Sequence, residues 1–443
     1  MAYTVPTLAQ AQTALAARLN DPNMIHWQSA ELTVYLIEAL RTWAAWTAHW
    51  REGATFVTAA MQPFFDLPTV IPTLRQQSVT QQDLITSMQY SLLEPATPTV
   101  WTGTDQFTLA QLTTAIARRR DLFLQLTGAY LTYSETLYGA PAATGRLDLD
   151  ESILLVQRAL WRPTATQLLQ PLRRTDEWAA DHFKPAWPTS TLAPNNYSTS
   201  VTPPLTLQLM PPTSLAGTLV LVSVNKGSSF PDPAAAVTLG VPNDWSWVIK
   251  YGALADLLQG DGLALDPQRA AYCEQRWQQG VKQAAAAGVV LAARINDVPC
   301  RISSVADCDK YQPVWNLLAG RPAFVAIAGQ NLIAPVPMDS FGVAVVDLEV
   351  VRNVPVPVAG GDVLQIGGDM YESILDIAQH TALFKEGPAQ LQIAMALLDR
   401  AAKVAGVTLG LQQASQPSRA PLLEQTSVDT YSTPRYVDPV EVP

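Results

Sequence analysis

Four histidines are the first candidates for chemistry in this chain of 443 residues. They are widely separated, and no two have the spacing at which one helix presents two metal ligands: His26, His49, His182 and His380. His26 adjoins Trp27, an aromatic setting that favours a structural role. The sequence also lacks the glycine loops that bind phosphate and the nucleophile elbow of hydrolases. We therefore predict that the protein is not an enzyme.

Cys300 and Cys308 lie close together in sequence, and Asp307 and Asp309 flank the second cysteine. A zinc site would need further Cys or His nearby, and the spacing of an EF-hand is absent. The sequence favours a hairpin with small buried thiols, and we predict no metal and no cofactor. Cys273 brings the cysteine count to three, which cannot all pair within the chain, so folding in a reducing cytoplasm is expected.

Asp148, Asp150 and Glu151 form a small acidic cluster. Glycoside hydrolysis needs two carboxylates at a fixed separation across a cleft, and nothing in the sequence predicts such a cleft. Acidic residues are also favoured at the first turn of a helix, where the dipole is positive. We therefore predict that the cluster begins a helix over residues 153–161.

The twelve tryptophans are the most conspicuous aromatic feature. Trp43, Trp46 and Trp50 share one predicted helical face, and Trp245 and Trp247 stand at a predicted helix start. Aromatic stripes can bind sugars or stack on bases, but they more often fill cores and interfaces. We favour packing and interface roles.

Charged residues make up only 15% of the chain, below the roughly 25% of average soluble domains, which suits a surface covered by neighbours in an assembly. A net charge of −10 argues against a protein that coats DNA. The densest basic runs, 118–120 and 173–174, are predicted to be solvated helix faces. The chain begins without a recognisable secretory leader, and no stretch has the length and apolarity of a membrane span.

Hydrophobic periodicity predicts helices over much of residues 1–183 and a mixture of helices and strands after residue 212. Predicted helices cover residues 29–50, 80–93, 245–259, 267–287 and 370–404, the last with a break at Gly387-Pro388. Alternating apolar residues predict strands over 205–209, 218–224 and 343–351, and Asn296-Asp297 predicts a hairpin turn.

These elements predict an α+β fold with an N-terminal helical domain and a second domain of helices with an antiparallel β-sandwich. The predicted divisions are a helical domain over 1–183, a Pro/Ser/Thr-rich linker or arm over 184–212, a mixed helix and β-sandwich domain over 213–410, and an extended C-terminal arm over 411–443.

Three segments resemble proteins of the head-to-tail adaptor, or connector, type from tailed bacteriophages. Residues 242–258 read PNDWSWVIKYGALADLL, residues 266–281 read DPQRAAYCEQRWQQGV, and residues 27–41 read WQSAELTVYLIEALR. The first two resemble a turn leading into a helix with Tyr-Gly-Ala-Leu, followed by a second helix, and the third resembles an opening connector helix. The resemblance implies packing motifs, in which Gly252 allows another helix to approach closely. The residues proposed for packing or interfaces are Trp27, Trp43, Trp46, Trp245, Trp247, Tyr251, Tyr272 and Trp277.

The resemblance implies a structural protein of the virion, made in the bacterial cytoplasm, that forms a homo-oligomeric ring. Its expected partners are the portal and the tail or neck proteins of the same particle, with DNA passing transiently and non-specifically through the lumen and no membrane contact. The exact station in the particle stays open. A tail or baseplate component that binds host glycans through exposed Trp is the first alternative, and a cell-wall hydrolase is the alternative that the sequence favours least.

Overall fold

The computed structural model describes residues 5–72, 74, 77–92, 106–138, 145–164, 169–183, 186–189, 192–201, 204–213, 216–230, 236–260, 265–311, 315, 318–407 and 409. The predicted C-terminal arm, 411–443, lies outside these residues. The fold is α+β, as the sequence predicted.

Side chains cap the first turn of several helices. Thr7 and Thr108 each form a capping box with the glutamine three residues on, and Asp266 caps a helix that has Pro267 at its first position. The helices of the described residues are α1 (Leu8–Arg18), α2 (Ser29–Thr47), α3 (Leu67–Val70), α4 (Gln81–Leu92), α5 (Leu109–Thr127), α6 (Glu177–Phe183), α7 (Ser246–Leu258), α8 (Pro267–Ala286), α9 (Val305–Tyr311), α10 (Gly368–Leu383) and α11 (Pro388–Val404).

Two helical groups bury the largest cores. Helices α1 and α2 pack with α10 and α11 around residues such as Leu36, Trp43 and Ile374. Helices α4, α5, α7 and α8 pack around a second core. The two ends of the described chain therefore share one core, and the predicted boundaries at 183 and 213 do not separate the cores.

The strands of the described residues form two sandwich-like pairs of sheets and one short ladder. They are β1 (Arg51–Val57), β2 (Phe65–Asp66), β3 (Thr132–Tyr138), β4 (Arg146–Asp148), β5 (Ile153–Arg162), β6 (Gln170–Pro171), β7 (Arg173–Arg174), β8 (Asn196–Thr199), β9 (Thr206–Met210), β10 (Gly217–Asn225), β11 (Val290–Ile295), β12 (Val298–Cys300), β13 (Ile302–Ser304), β14 (Ala319–Gly320), β15 (Phe324–Ala328), β16 (Leu332–Val336), β17 (Met338–Asp339) and β18 (Val345–Val351).

The first sandwich combines sheet β3-β10-β5-β6 with sheet β4-β9-β8-β7. Alternate side chains of both sheets, including Trp161, Tyr197 and Leu207, meet in one core. Strands β8 and β9 belong to the segment 184–212, so this part of the predicted linker is built into a sheet.

The second sandwich combines sheet β1-β18-β11-β12 with sheet β13-β15-β16-β2. The predicted turn at Asn296-Asp297 joins β11 to β12, and both turn residues have positive φ, which Asn and Asp tolerate. Strands from near residue 60 and from residues 290–350 therefore meet in one unit.

Several predictions for individual elements are confirmed and others are wrong. Helices α4, α7 and α8 lie where the sequence predicted them, and the last helix breaks at Gly387, with φ of 97°. The predicted helix 153–161 is instead strand β5, because pairing with β10 along its length outweighs local helical preference. The acidic cluster before it lies around a turn, where Asp150 accepts a hydrogen bond from the Ser152 N–H.

The basic runs also differ from their prediction as solvated helix faces. Arg118 is exposed, but Arg119 and Arg120 are buried, and Arg173 and Arg174 lie on strand β7. Arg120 donates to the carbonyl oxygens of residues 227 and 228, and Arg119 pairs with two carboxylates. Buried guanidinium groups are retained where such acceptors satisfy them.

Candidate interaction surface and the buried aromatic network

Five of the proposed packing residues lie in the core around α7 and α8, and all of them except Trp277 are joined in one chain of ring contacts. Their rings are almost fully buried: Trp245, Trp247, Tyr251, Tyr272 and Trp277. Ring centroids are 6.5 Å apart for Trp245 and Trp247, 6.3 Å for Trp247 and Tyr251, and 5.9 Å for Tyr251 and Tyr272. The cluster lies in the interior of this chain, so in this conformation it holds the chain's own helices together.

Reciprocal glycines explain how α7 and α8 approach so closely. A Cβ at Gly252 would lie 2.4 Å from Trp277, and a Cβ at Gly280 would lie 2.4 Å from Val248. Each helix thus accepts a large side chain of the other where it has no side chain of its own. The prediction that Gly252 lets a helix come close is confirmed.

The other three proposed residues lie on or just before α2. Trp27 and Trp43 are buried in the core of α1, α2, α10 and α11, and the Lys385 ammonium lies 3.7 Å from the Trp27 ring centroid. Trp46 is half-buried and donates a hydrogen bond to Gln283 of α8 over 3.2 Å. Trp46 therefore connects the two helical groups.

Two buried ion pairs, which the sequence analysis missed, lie beside the aromatic residues. Glu38 accepts from the Lys250 ammonium at 2.6 Å, and Glu31 accepts from Lys385 at 2.7 Å. All four side chains are less than a tenth exposed. Glu31 and Glu38 are seven residues apart on the apolar face of α2, and this spacing is the feature of the sequence from which their burial could have been predicted.

Each of these carboxylates lies close to a tyrosine. Burial, followed by the charge of Glu31, raises the pKa of Tyr35 well above its ordinary value, and the Tyr35 hydroxyl donates to Glu31 over 2.6 Å. Burial and the charge of Glu38 likewise raise the pKa of Tyr251. Both phenols therefore stay protonated and act as hydrogen-bond donors.

Arg276 is a buried cation enclosed by aromatic rings. Its guanidinium carbon lies 4.5 Å from the Trp247 ring centroid, 5.4 Å from that of Tyr251 and 5.7 Å from that of Trp46. Stacking on aromatic faces suits a weakly hydrated guanidinium. The whole network can therefore fix the positions of α2, α7, α8 and the segment around residue 385 relative to one another.

The residues around Cys308 have structural partners of their own. Asp307 forms a hydrogen bond with Ser304 at the start of α9, and Asp309 accepts from Arg158 and from the Trp315 indole. Within the described residues, no group of three His, Cys, Asp or Glu side chains is arranged to hold a metal ion. Cys300 lies in the predicted hairpin, where β12 pairs with β11, whereas Cys308 is buried outside the hairpin, on α9.

A rigid loop at one end of sheet β1-β18-β11-β12 is the second feature that the sequence analysis missed. The Asp339 carboxylate accepts hydrogen bonds of 2.9 Å each from the N–H groups of Phe341, Val343 and Ala344, and one of 2.5 Å from the Thr58 hydroxyl. Burial opposes the ionised form, but these hydrogen bonds outweigh it and lower the pKa of Asp339 to about 2. The carboxylate fixes the path of the loop.

Gly342 completes the loop. Its φ is +69°, and a Cβ at this position would lie 2.5 Å from the Ala60 nitrogen. Only glycine fits such a left-handed, crowded position without strain. The Asp-Ser-Phe-Gly stretch at 339–342 carried a turn signal of this kind.

The loop presents apolar side chains to solvent beside the ends of two strands. Phe341 is 75% exposed, Val343 68%, Val57 59% and Val298 63%, and we call these four residues the sheet-end patch. Val57 pairs with Val345 at the start of β18. Val298 follows the Asn296-Asp297 turn and pairs with Ile295. Strand β1 forms an edge of this sheet. An apolar cluster on a rigid support is the type of surface that neighbouring proteins bind.

Replacing Asp339 with Asn is expected to lower the free energy of unfolding by about 1.5–3 kcal/mol, because the amide turns an NH₂ group toward N–H donors. The contribution of the wild-type carboxylate is fully present above about pH 4 and is lost as the pH falls toward about 2, since its pKa is lower folded than unfolded. Urea unfolding between these pH values measures both effects. Asp347→Asn, which alters a half-exposed carboxylate of the same sheet, is the control. An equal loss in both variants would contradict the special role of Asp339.

None of the helices in the described ranges combines the length and the apolar character needed to cross a membrane. Comparison of the chain with protein-family models and with curated proteins gives no match.

Proposed function

We propose that the protein is a non-enzymatic structural component of a tailed-phage particle, and that its copies form a ring at the head-to-tail junction through which DNA passes. The observation that carries the proposal is the sheet-end patch on its rigid loop. Support also comes from the sequence resemblance, because its three segments correspond to α2, α7 and α8.

The patch suits a contact between subunits. Four exposed apolar side chains are grouped at one sheet end, whereas single exposed apolar residues are ordinary on any protein surface. The Asp339 hydrogen bonds hold the loop before any partner arrives, so little conformational entropy is lost on binding. A patch that docks on a different surface of the next copy gives a head-to-tail contact, and such contacts form a ring when the rotation between successive copies adds up to a full turn.

The buried network supports the same function from within. Ion pairs, stacked rings and interlocked glycines fix α2, α7 and α8 relative to one another. A ring needs subunits of one defined shape, since small errors in subunit angle prevent closure. With a net charge of −10, such a ring would bind passing DNA weakly, which suits transit. Portal and tail or neck proteins are the proposed neighbours.

The test compares the oligomeric state of the full chain with that of Phe341→Ser/Val343→Ser. Native mass spectrometry and negative-stain electron microscopy should show rings for the wild type and monomers for the double variant. Truncating interface anchors costs about 2 kcal/mol or more, which raises the dissociation constant at least about 30-fold. Val201→Ser, which changes an equally exposed apolar residue elsewhere, should leave the rings intact. A wild type that stays monomeric alone and with purified portal and tail proteins would contradict the proposal.

One observation favours the alternative of a tail or baseplate component that binds host glycans. Trp178 on α6 is 86% exposed, and Trp187 nearby donates a hydrogen bond to Asp181 of the same helix over 2.7 Å. Exposed indole rings are the groups on which sugars stack. Glycan-array binding by the wild type that disappears in Trp178→Ala would favour this function over the ring.

A further inference from the structure

His380 is a buried imidazole with both nitrogens engaged. Its Nδ1 donates to the Ala394 carbonyl of α11 over 3.0 Å, and its Nε2 lies 2.5 Å from the Tyr272 hydroxyl of α8. Because Nδ1 must carry the proton to donate to a carbonyl, Nε2 is the acceptor and Tyr272 is the donor. Tyr251 of α7 in turn forms a hydrogen bond with Tyr272. The neutral form of the ring is therefore the one that fits.

The charges around His380 oppose a second proton. Arg276 of α8 is the cation that acts on it most strongly. From α2, Glu31 and Glu38 are already paired with Lys385, which follows α10, and with Lys250 of α7. On α10 itself, Asp376 is held between Arg18 of α1 and Arg400 of α11. Cys273 of α8 and Tyr35 of α2 are further buried groups near the network, and burial keeps each of them protonated.

We propose that His380 is an acid-operated latch, whose protonation breaks its hydrogen bond with Tyr272 and loosens α8 from the α10–α11 pair. An added proton on Nε2 turns the acceptor into a donor that faces the hydroxyl hydrogen of Tyr272. Tyr272 could accept from it only by turning this hydrogen away, toward the Tyr251 hydroxyl that already donates to Tyr272. The bond from Nδ1 to Ala394 is unaffected, so α10 and α11 stay together as one unit. The break falls between α10 and α8. This inference does not depend on the proposed ring.

The expected size of the response follows from the coupling between protonation and opening. Burial, together with the charge of Arg276, lowers the pKa of His380 to about 3, against 6.5 for an open ring. The closed state is thus favoured fully above about pH 6.5, and the opening constant rises about tenfold for each pH unit below that, until about pH 3. Between pH 7.5 and 4.5 the rise is about 100-fold.

Hydrogen exchange of the full chain, read by mass spectrometry and corrected for intrinsic exchange rates, tests the latch. A helix that loses its tertiary packing is only marginally stable, so α10 should open once the α10–α11 pair is released from α8. Protection of amides in α10 should therefore fall about 100-fold between pH 7.5 and 4.5, while amides of β10 in the first sandwich keep their protection. In His380→Asn, which cannot gain a proton but can still donate to Ala394, the pH response should vanish. His182→Asn, at an exposed histidine of α6, should respond as the wild type does.

The exchange data distinguish an opening that is caused by His380 from an opening that acid causes through other groups or through global unfolding. A response that persists in His380→Asn belongs to Asp376 or to other carboxylates and overturns the proposal. An equal loss of protection in α10 and β10 also overturns it, because that is global unfolding. If His380→Asn does not fold, the wild type decides through NMR of the His380 ring. If the His380 ring of the folded protein titrates above pH 5, the fold does not favour the neutral imidazole, and the proposal is overturned. If the ring stays neutral in the folded protein while α10 opens, the latch is supported.

Discussion

Replacing Lys250 with Met is expected to lower the free energy of unfolding by about 3–5 kcal/mol, one of the largest effects of any single substitution in this protein. The ammonium is 2% exposed and lies 2.6 Å from the Glu38 carboxylate, which is 8% exposed. Methionine fills nearly the same space, so packing changes little. The loss arises because the Glu38 carboxylate is left in the interior without its cation, and the Ser87 hydroxyl lies at a long 3.5 Å from it. Urea unfolding at neutral pH measures it.

The double variant Glu38→Leu/Lys250→Met should recover most of this loss, because no uncompensated charge is left behind. The exposed pair Arg51 and Glu349 provides the matched control: its atoms are 3.4 Å apart, and both side chains are about half exposed. Arg51→Met should therefore cost no more than about 1 kcal/mol. Equal losses for Lys250→Met and Arg51→Met would show that the interior pair is not isolated from water as the structure indicates.

The sequence predicted correctly those elements that depend on neighbouring residues, and it failed for an element that depends on residues far away in the chain. Helices α7 and α8 were found because the apolar run of α7, the Asp266-Pro267 start of α8 and Gly252 are local signals, and the break at Gly387-Pro388 needs only proline chemistry. The turn at Asn296-Asp297 is equally local. Strand β5 was missed because its identity depends on pairing with β10, some sixty residues away, which its own sequence does not reveal.

The candidate sites were harder to predict for the same reason. Lys250 is 212 residues from Glu38, and Lys385 is 354 residues from Glu31, so no pattern in one segment shows the pairs. Arg119 and Arg120 looked like a solvated run because a buried arginine differs from an exposed one only through distant acceptors. The sheet-end patch joins residues from 57 to 343, although the turn at Asp339 to Gly342 was visible locally.

Replacing Trp247 with Ala is expected to lower the free energy of unfolding by about 3–5 kcal/mol and thereby separates two roles of the aromatic residues. Trp247 is 1% exposed, it contacts the rings of Trp245 and Tyr251, and the Arg276 guanidinium stacks on it at 4.5 Å. Alanine leaves a cavity and removes one wall of the enclosure around Arg276, a buried cation. Urea unfolding in the Phe341→Ser/Val343→Ser background, which the proposed function expects to be monomeric, measures the loss without any contribution from assembly.

Trp178→Ala is the control, because it makes the same chemical change at a ring that is 86% exposed. This substitution should lower the free energy of unfolding by less than about 0.5 kcal/mol. Trp247→Phe should fall between the two, because a smaller ring still fills part of the space. If Trp247→Ala instead unfolded like the wild type but no longer formed rings, Trp247 would be an interface anchor, which is one of the two roles that the sequence left open for it. The burial of its ring against Trp245, Tyr251 and Arg276 argues for the core, where its loss affects every copy before any two of them meet.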